Sequence, residues 1–305
     1  MLKTRIWRRA GMSDLRDMRI LAALARRRHF ARAAQDCSIS QPAFSARIRN
    51  LEQELGAPLV KRGARFIGFT REGEIALRWA HRILADADNL RQEVEAAKGA
   101  LTGRLAVGAV PSALTYVARI PALLRPEYPA LVFQIYSLSA SEIHRGIDDR
   151  SLDAGVTYLD QSLPPGMAAE ELYQEHYVLL VPRAMAPRRS GSATWAEAAA
   201  LPLCLLTNNM RNREIINSVF RAAVGEEPTP VMETNAFTAA LAQVASGAAA
   251  TIAPQQLADH IPLTKTAVRL NLSKPDIGIP IGLVTADQDP APPTARALRA
   301  ILGHL

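Results

Sequence analysis

Two cysteines in 305 residues, Cys37 and Cys204, stand far apart with no Cys or His in ligand spacing, which excludes a disulfide framework and a zinc site. The six histidines (His29, His81, His144, His176, His260, His304) are scattered, so no metal or other cofactor is expected. No apolar run approaches the roughly 18 residues of a membrane span, and the opening MLKTRIWRRAGM lacks the apolar stretch of a signal peptide. These absences predict a cytoplasmic chain without membrane contact. Catalytic signatures are missing too: there is no Gly-x-Ser-x-Gly elbow, no Gly-x-Gly-x-x-Gly fingerprint and no Walker loop. The carboxylate pairs Asp148-Asp149 and Glu170-Glu171 sit in polar connections, where a solvated face explains them more simply than acid-base work. An enzyme is therefore not expected.

Negative charge is scarce in the first third of the chain. The net +7 divides into 20 Lys/Arg against 11 Asp/Glu over residues 1 to 98 and 16 against 18 over residues 99 to 305. A basic footprint confined to one segment suits a polyanion-binding module joined to a near-neutral one, and the length allows two or three domains. A solvated basic face would give the same totals, so the patterning has to decide. Residues 1 to 11, with Lys3, Arg5, Arg8 and Arg9, show little periodicity and form a basic extension, either a phosphate-contacting arm or a frayed tail.

From Leu15 the apolar positions Met18, Leu21, Ala22, Leu24 and Ala25 predict a helix near 14 to 28, closed by the cations Arg26-Arg27-Arg28. Phe30, Ala33 and Ala34 give a second, short helix ending by Cys37. Ser40 supplies an N-cap followed by Pro42 in the first turn, and the third helix runs to about Leu55 before Gly56. The tight Cys37-Ser38-Ile39 connection makes this a helix-turn-helix. Ile39, Phe44, Ile48 and Leu51 bury one face of the third helix, leaving Ser40, Gln41, Pro42, Ser45, Arg47 and Arg49 for the major groove of double-stranded DNA. The stretch LVKRGARFIGFTREG predicts a hairpin wing whose Lys61, Arg62 and Arg65 reach the sugar-phosphate backbone.

After Thr70 one long helix is expected to about Lys98. Ala76, Ala80, Ile83, Ala87, Leu90, Val94 and Ala97 recur along it in alternating steps of four and three, a heptad seam that predicts self-association, with packing against the chain's own domain as the rival. From Gly99 short apolar runs alternate with helical segments, predicting strands at 105–110, 131–138, 152–158, 177–182, 201–206, 248–254, 267–272 and 279–285. Helices fit between them at 113–127, 139–150, 211–224, 236–246 and 292–304, an α/β pattern with a largely parallel sheet.

The run FARAAQDCSISQPAFSARIRNLEQELGAPLVKR, followed by FTREG, resembles the LysR-type transcriptional regulators, and the likeness extends over nearly the whole chain. The resemblance implies a winged helix-turn-helix (12–70), a dimerising linker helix (71–98) and a two-lobed effector domain (99–305) like type 2 periplasmic binding proteins. Lobe one would comprise 102–160 and 276–305, lobe two 161–275. It also implies a homodimer and a homotetramer on an interrupted palindrome of the T-N11-A kind, and contact with RNA polymerase. Ala46 departs from the family, which commonly has Arg there, so base contact at that position is in doubt and Arg47 or Arg49 is a substitute. His29 stands where Ser often caps the second helix, and ASGAAATIAP is an unusual strand entry.

Ligands of open α/β sheets bind beyond the carboxyl ends of strands. Those ends carry Pro111, Ser112, Ser139, Ser141, Tyr158, Thr207, Asn208, Asn209, Thr234 and Asn235. The resemblance places Ser112 and Thr207 at positions lining the inter-lobe cleft; the others rest on strand-end geometry, and each also reads as a plain N-cap. Arg211 and Arg213 could complement a carboxylate. A small organic acid or similar anion is the expected effector. The alternative is an architectural DNA-binding protein whose second domain ignores small molecules.

Overall fold

The computed structural model describes residues 14–61, 63, 66–96, 101–186, 191–260, 266–288 and 290–302. They form two units, residues 1–98 with 148–151, and residues 99–147 with 152–305. The basic extension 1–11, Arg62, Arg65 and Ala97 lie outside the described residues.

In the first unit α1 (Leu15–Arg27), α2 (Phe30–Asp36) and α3 (Gln41–Leu55) precede a two-stranded wing, β1 (Val60–Lys61) and β2 (Gly68–Phe69), and the long α4 (Arg71–Ala96). Asp14 and Asp17 form a capping box at the start of α1, and Arg28 ends it in the left-handed region. His29 does cap α2, its ring accepting from the Arg32 amide. Ser40 caps α3 by accepting from the Ala43 amide at 3.4 Å, and Gly56 takes the left-handed conformation that stops it. Ala33 and Ala34 are fully buried, small because α2 approaches α1 and α3 there, and Leu21, Leu24, Phe44, Ile48 and Leu51 complete the core.

Two motifs acquire a physical reason here. The Leu51-Glu52 step buries Glu52, whose Oε1 accepts from the Leu59 and Val60 amides at 2.9 and 3.2 Å and so ties the entry of the wing to α3. At the exit, Thr70 donates to the Pro58 carbonyl at 2.6 Å and accepts from the Gly73 amide at 2.9 Å. A Cβ on Gly73 would run into the Leu59 carbonyl, so only glycine fits at that crossing.

The heptad seam needs correction. Ala80 is fully buried, and Ala76, Leu77 and Leu84 pack with it against the core of their own domain. The stripe left exposed on α4 keeps Ile83, Leu90 and Val94 of the seam and adds Ile75 and Trp79, while Ala87 is half-buried. A helix wrapped on one side by its own domain has less than a full seam to offer a partner.

In the second unit the chain runs β3 (Gly103–Ala109), a 3-10 turn (Pro111–Ala113), α5 (Leu114–Val117), α6 (Ile120–Leu124), β4 (Leu131–Ser137), α7 (Ala140–Asp148) and β5 (Ala154–Tyr158). It continues through β6 (Met167–Glu175), β7 (Tyr177–Pro182), β8 (Ser192–Thr194), α8 (Trp195–Ala199), β9 (Cys204–Leu206), α9 (Arg211–Val224) and β10 (Met232–Thr234). Then come α10 (Phe237–Ser246), β11 (Thr251–Pro254), α11 (Gln255–His260), β12 (Ala267–Ser273), β13 (Ile279–Ala286) and α12 (Pro293–Leu302). The helix expected at 113–127 is broken into the 3-10 turn, α5 and α6, with Pro121 in the first turn of α6, where its missing N–H costs nothing.

Lobe one holds a five-stranded sheet in the order β4-β3-β5-β13-β6, lobe two a four-stranded sheet β11-β7-β12-β8 and a β10-β9 pair. The sheets are mixed rather than largely parallel. β4, β3 and β5 run parallel, but β13 is antiparallel to both β5 and β6, because the chain comes back from the second lobe in the opposite direction. The lobe boundary also moves. β6 pairs with β13 from Met167↔Ala286 to Glu175↔Ile279, so residues 167–175 stay in lobe one and the outward crossing falls at His176, not near Asp160. The return lies between β12 and β13, where Pro275 was expected to mark it.

Candidate functional site

On the first unit, capping by Ser40 directs the opening turn of α3 outward and leaves Gln41, Pro42 and Ala43 exposed. Half-buried Ser45 and exposed Arg49 share one groove with Lys61 of the wing, Phe30 and Gly63. The structure thus brings Ser45, Arg49 and Lys61 to a single concave surface. Arg47 does not join them. Its Nη1 reaches back to Asp17 of α1 at 2.8 Å and lies 3.7 Å from Asp14, so this arginine ties α3 to α1 rather than standing free for a base. Arg26 and Arg27 are likewise engaged, both on Asp36, whose carboxyl they hold down at about 2, Arg27 contributing most.

On the second unit the sequence-selected residues separate into groups. Pro111 opens the 3-10 turn after β3 and is buried, which seats Ser112 in the interior. Ser112 Oγ lies 2.9 Å from the Tyr158 hydroxyl at the end of β5. Thr207 directly follows β9 and Thr234 ends its parallel neighbour β10, the Thr207 amide donating to the Thr234 carbonyl at 2.9 Å. The Thr207 hydroxyl donates to Asn209 at 2.7 Å, while Asn208 and Asn235 are exposed. Ser139 acts as a local cap, and Thr234 closes a turn. Ser139 exchanges hydrogen bonds with Glu142 at the start of α7 and sits 3.2 Å from Ser141, and Thr234 accepts from the Ala236 amide at the start of α10.

The two arginines expected to receive a carboxylate already have protein carboxylates. Arg211, at the first turn of α9, reaches Asp160 with Nη2 at 2.5 Å and Nε at 3.1 Å, and Glu214 at 2.6 Å. Arg213 is buried and donates to Asn217, the Leu206 carbonyl and Glu233, each at 2.8 Å. The first pair links the end of β5 in lobe one to α9 in lobe two; the second braces lobe two.

Three residues at the same junction escaped the sequence reading: Glu175, Tyr177 and Asn212. The Tyr158 hydroxyl donates to Glu175 Oε1 at 3.0 Å, and the Tyr177 hydroxyl donates to the same oxygen at 2.8 Å. Asn212 Nδ2 donates to the Tyr158 oxygen at 3.4 Å. Residues from both lobes therefore converge on one carboxylate at the crossing between them. Burial pushes Glu175 up to about 7 against the opposing pull of its hydroxyl donors, and burial also raises Tyr158 and Tyr177 well above their ordinary value. Glu175 Oε2 and Asn212 Oδ1 are buried without a partner among the described residues. A signal for Glu175 did exist. It is the one carboxylate abutting YVLLVP, a strand buried at every position, where an acidic residue needs a special environment.

Against known proteins, residues 15–74 match the model of the bacterial regulatory helix-turn-helix proteins of the lysR family, and residues 98–305 match that of the LysR substrate binding domain. A hydrogen peroxide-inducible genes activator of Dickeya chrysanthemi is 32% identical over 144 residues, 47% of this chain and 47% of that protein. One from Haemophilus influenzae is 28% identical over 67% of this chain and 64% of its own length, and a probable RuBisCO transcriptional regulator of Phaeodactylum tricornutum is 27% identical over 67% and 68%. The match to the Dickeya relative thus spans about half that protein's length. Among solved structures, a full-length OxyR variant from Pseudomonas aeruginosa superposes with a TM-score of 0.75 at 22% identity over 96% of this chain and 97% of its own. CbnR, a LysR family transcriptional regulator, does so at 0.71 and 22% over 96% and 99%. At that identity the superpositions establish the fold, and the two family matches, one on each unit, establish descent: the chain belongs to the LysR family of bacterial regulatory helix-turn-helix proteins.

Proposed function

We propose that this protein is a transcriptional regulator that grips an interrupted palindrome as a dimer and changes its hold on DNA when a small organic acid lodges between the lobes of its second unit. The observation that carries the reading is the pairing of an exposed α3 opening turn with a junction where polar groups from both lobes meet. Gln41, Ser45 and Arg49 are assigned to base edges, and Lys61, with Arg62 and Arg65, to phosphates. Arg47 is assigned instead to holding α3 against α1. The exposed stripe of α4 serves the dimer, a pair of dimers forms the tetramer, and RNA polymerase is the further protein partner. Ser112 and Tyr158 from lobe one, and Thr207 and Asn209 from lobe two, line the effector's seat. The effector acts by preferring one arrangement of the assembly, since a ligand that bound both equally would shift nothing.

The relatives that are peroxide-inducible activators raise peroxide as a second reading. A thiol sensor requires an accessible thiolate. Here Cys204 is fully buried, Cys37 is half-buried on the other unit, and burial raises both thiols. Those placements favour a bound molecule over an oxidised thiol. Gel-shift titration of a palindromic operator fragment with and without formate, acetate and hydrogen peroxide tests the proposal. A carboxylate-dependent change in mobility or affinity supports it. A response to peroxide that Cys204→Ser abolishes would replace it with the second reading, and indifference to every additive would favour a purely architectural role.

A further inference from the structure

The junction between the lobes contains a carboxyl group whose hydrogen bonding is half complete. Glu175 is fully buried, with the Tyr158 hydroxyl from β5 and the Tyr177 hydroxyl from β7 donating to Oε1, and the Ser112 hydroxyl also close enough to favour its charged form. Oε2 has no partner among the described residues. The other described groups packed around it carry no free cation. Ser112 from the 3-10 turn and Asn212 from α9 both address the Tyr158 oxygen, and Tyr173 on the same strand has an unpartnered hydroxyl. Next to Asn212 in sequence, Arg211 is held by Asp160 and Glu214, and next to Glu175, His176 turns to Asp276 at 3.1 Å.

An ionised carboxylate in that setting would be a charge removed from water without a counter-ion, among the most costly of buried groups. The neutral acid removes that cost and leaves one requirement, an acceptor for the Oε2 proton. A ligand carboxylate is such an acceptor, and an O–H donating to a carboxylate oxygen forms a short, charge-assisted hydrogen bond. Resting on the reading of this junction as the effector site, we infer that Glu175 receives the effector's carboxylate as a neutral acid, Oε2–H donating to the bound anion, so that carboxylate and proton enter the cleft together. The proton is shared and no covalent bond changes. With Arg211 and Arg213 taken by protein carboxylates, a shared proton does the work of a missing cation. Burial, which raises Glu175 above the ordinary carboxylate range, acts in the same sense.

Titration calorimetry of the full chain with sodium formate and sodium acetate, in two buffers of different ionisation heat, counts protons taken up per ligand. Above neutrality the uptake is expected to approach one, and the half-saturating concentration to rise roughly tenfold per pH unit. Glu175→Gln should abolish the uptake and flatten the pH dependence. Should that variant fold poorly, Tyr177→Phe provides an independent check: losing one donor to Oε1 should extend proton-coupled binding to higher pH. Carboxylate binding without proton uptake, unchanged in Glu175→Gln, would overturn the inference and leave the acid reading standing. Binding of propylamine in place of the acids would make Glu175 Oε2 and Asn212 Oδ1 acceptors for an ammonium and overturn both. Binding of none of the three probes would remove the cleft as a carboxylate site altogether.

Discussion

Replacing Glu175 with Gln should change how the ligand-free protein's stability depends on pH. Gln keeps the acceptor for the Tyr158 and Tyr177 hydroxyls and the shape of the side chain, and removes only the titration. The folded carboxyl releases its proton near 7, the unfolded one near its ordinary 4.5. Between those values the folded state binds more protons than the unfolded state, so stability falls as pH rises through the window and levels off above it. A displacement of that size corresponds to about 3 kcal/mol for this fully buried side chain. Urea unfolding followed through the tyrosine near-ultraviolet signal, at pH values from about 4.5 to about 8, gives both curves. Other shifted groups, such as buried Asp153, titrate alike in the two proteins and cancel in the difference. The wild type is expected to lose about 3 kcal/mol relative to the variant across the window. Parallel curves would mean that Glu175 is ionised or solvated at neutral pH, and the argument from its burial would fail.

On the DNA side, Gln41→Ala should weaken cognate binding by roughly 1 to 3 kcal/mol while sparing nonspecific duplex, and Lys61→Ala should weaken all duplexes alike and lower the salt slope by about one; gel shifts across a salt series separate the two. Gly73→Ala should destabilise the first unit by about 1 to 3 kcal/mol because its methyl meets the Leu59 carbonyl, which denaturant unfolding would register and an unchanged midpoint would contradict. Leu90→Glu, at an exposed position of α4, should leave the circular dichroism intact but shift sedimentation toward monomer, whereas Ala80→Glu, at a buried one, should unfold the domain.

The helix-turn-helix was legible because its constraints are local. A cap acts within three residues, as Ser40 does on Ala43, and a left-handed stop within one, as at Gly56. The small residues Ala33 and Ala34 announce a close approach in their own size. The α4 seam was legible only in part, for a related reason. A heptad repeat records that a face is apolar but not what covers it, and Ala76 and Ala80 are covered by their own domain. Strand alternation in the second unit likewise revealed that strands exist but not their direction. β6, with a mostly exposed or half-buried pattern ending in Glu175, carries no hydrophobic run to mark it and was missed, which also displaced the lobe boundary.

The chemistry of the junction between the lobes was the least legible part, and the reason is topological. Ser112 and Tyr158 could be selected individually because each ends a strand, and strand ends are visible in sequence. Glu175 and Tyr177 flank the crossing at His176, and Asn212 lies on the inner face of α9 among Ile215 and Ile216, where its neighbours suggest only core. What unites them is that Tyr158 hydrogen-bonds to residues 17 and 54 positions away, and no local pattern encodes such separations. Arg211 shows the converse. By residue type it could complement an anion, yet Asp160, 51 positions earlier, occupies its guanidinium. A lone arginine at a helix start and a lone glutamate before a strand thus suggest opposite roles to those their partners allow. With the Arg211 cation neutralised by Asp160 and Glu175 Oε2 unpaired among the described residues, the junction offers a ligand protons and hydroxyls rather than formal positive charge.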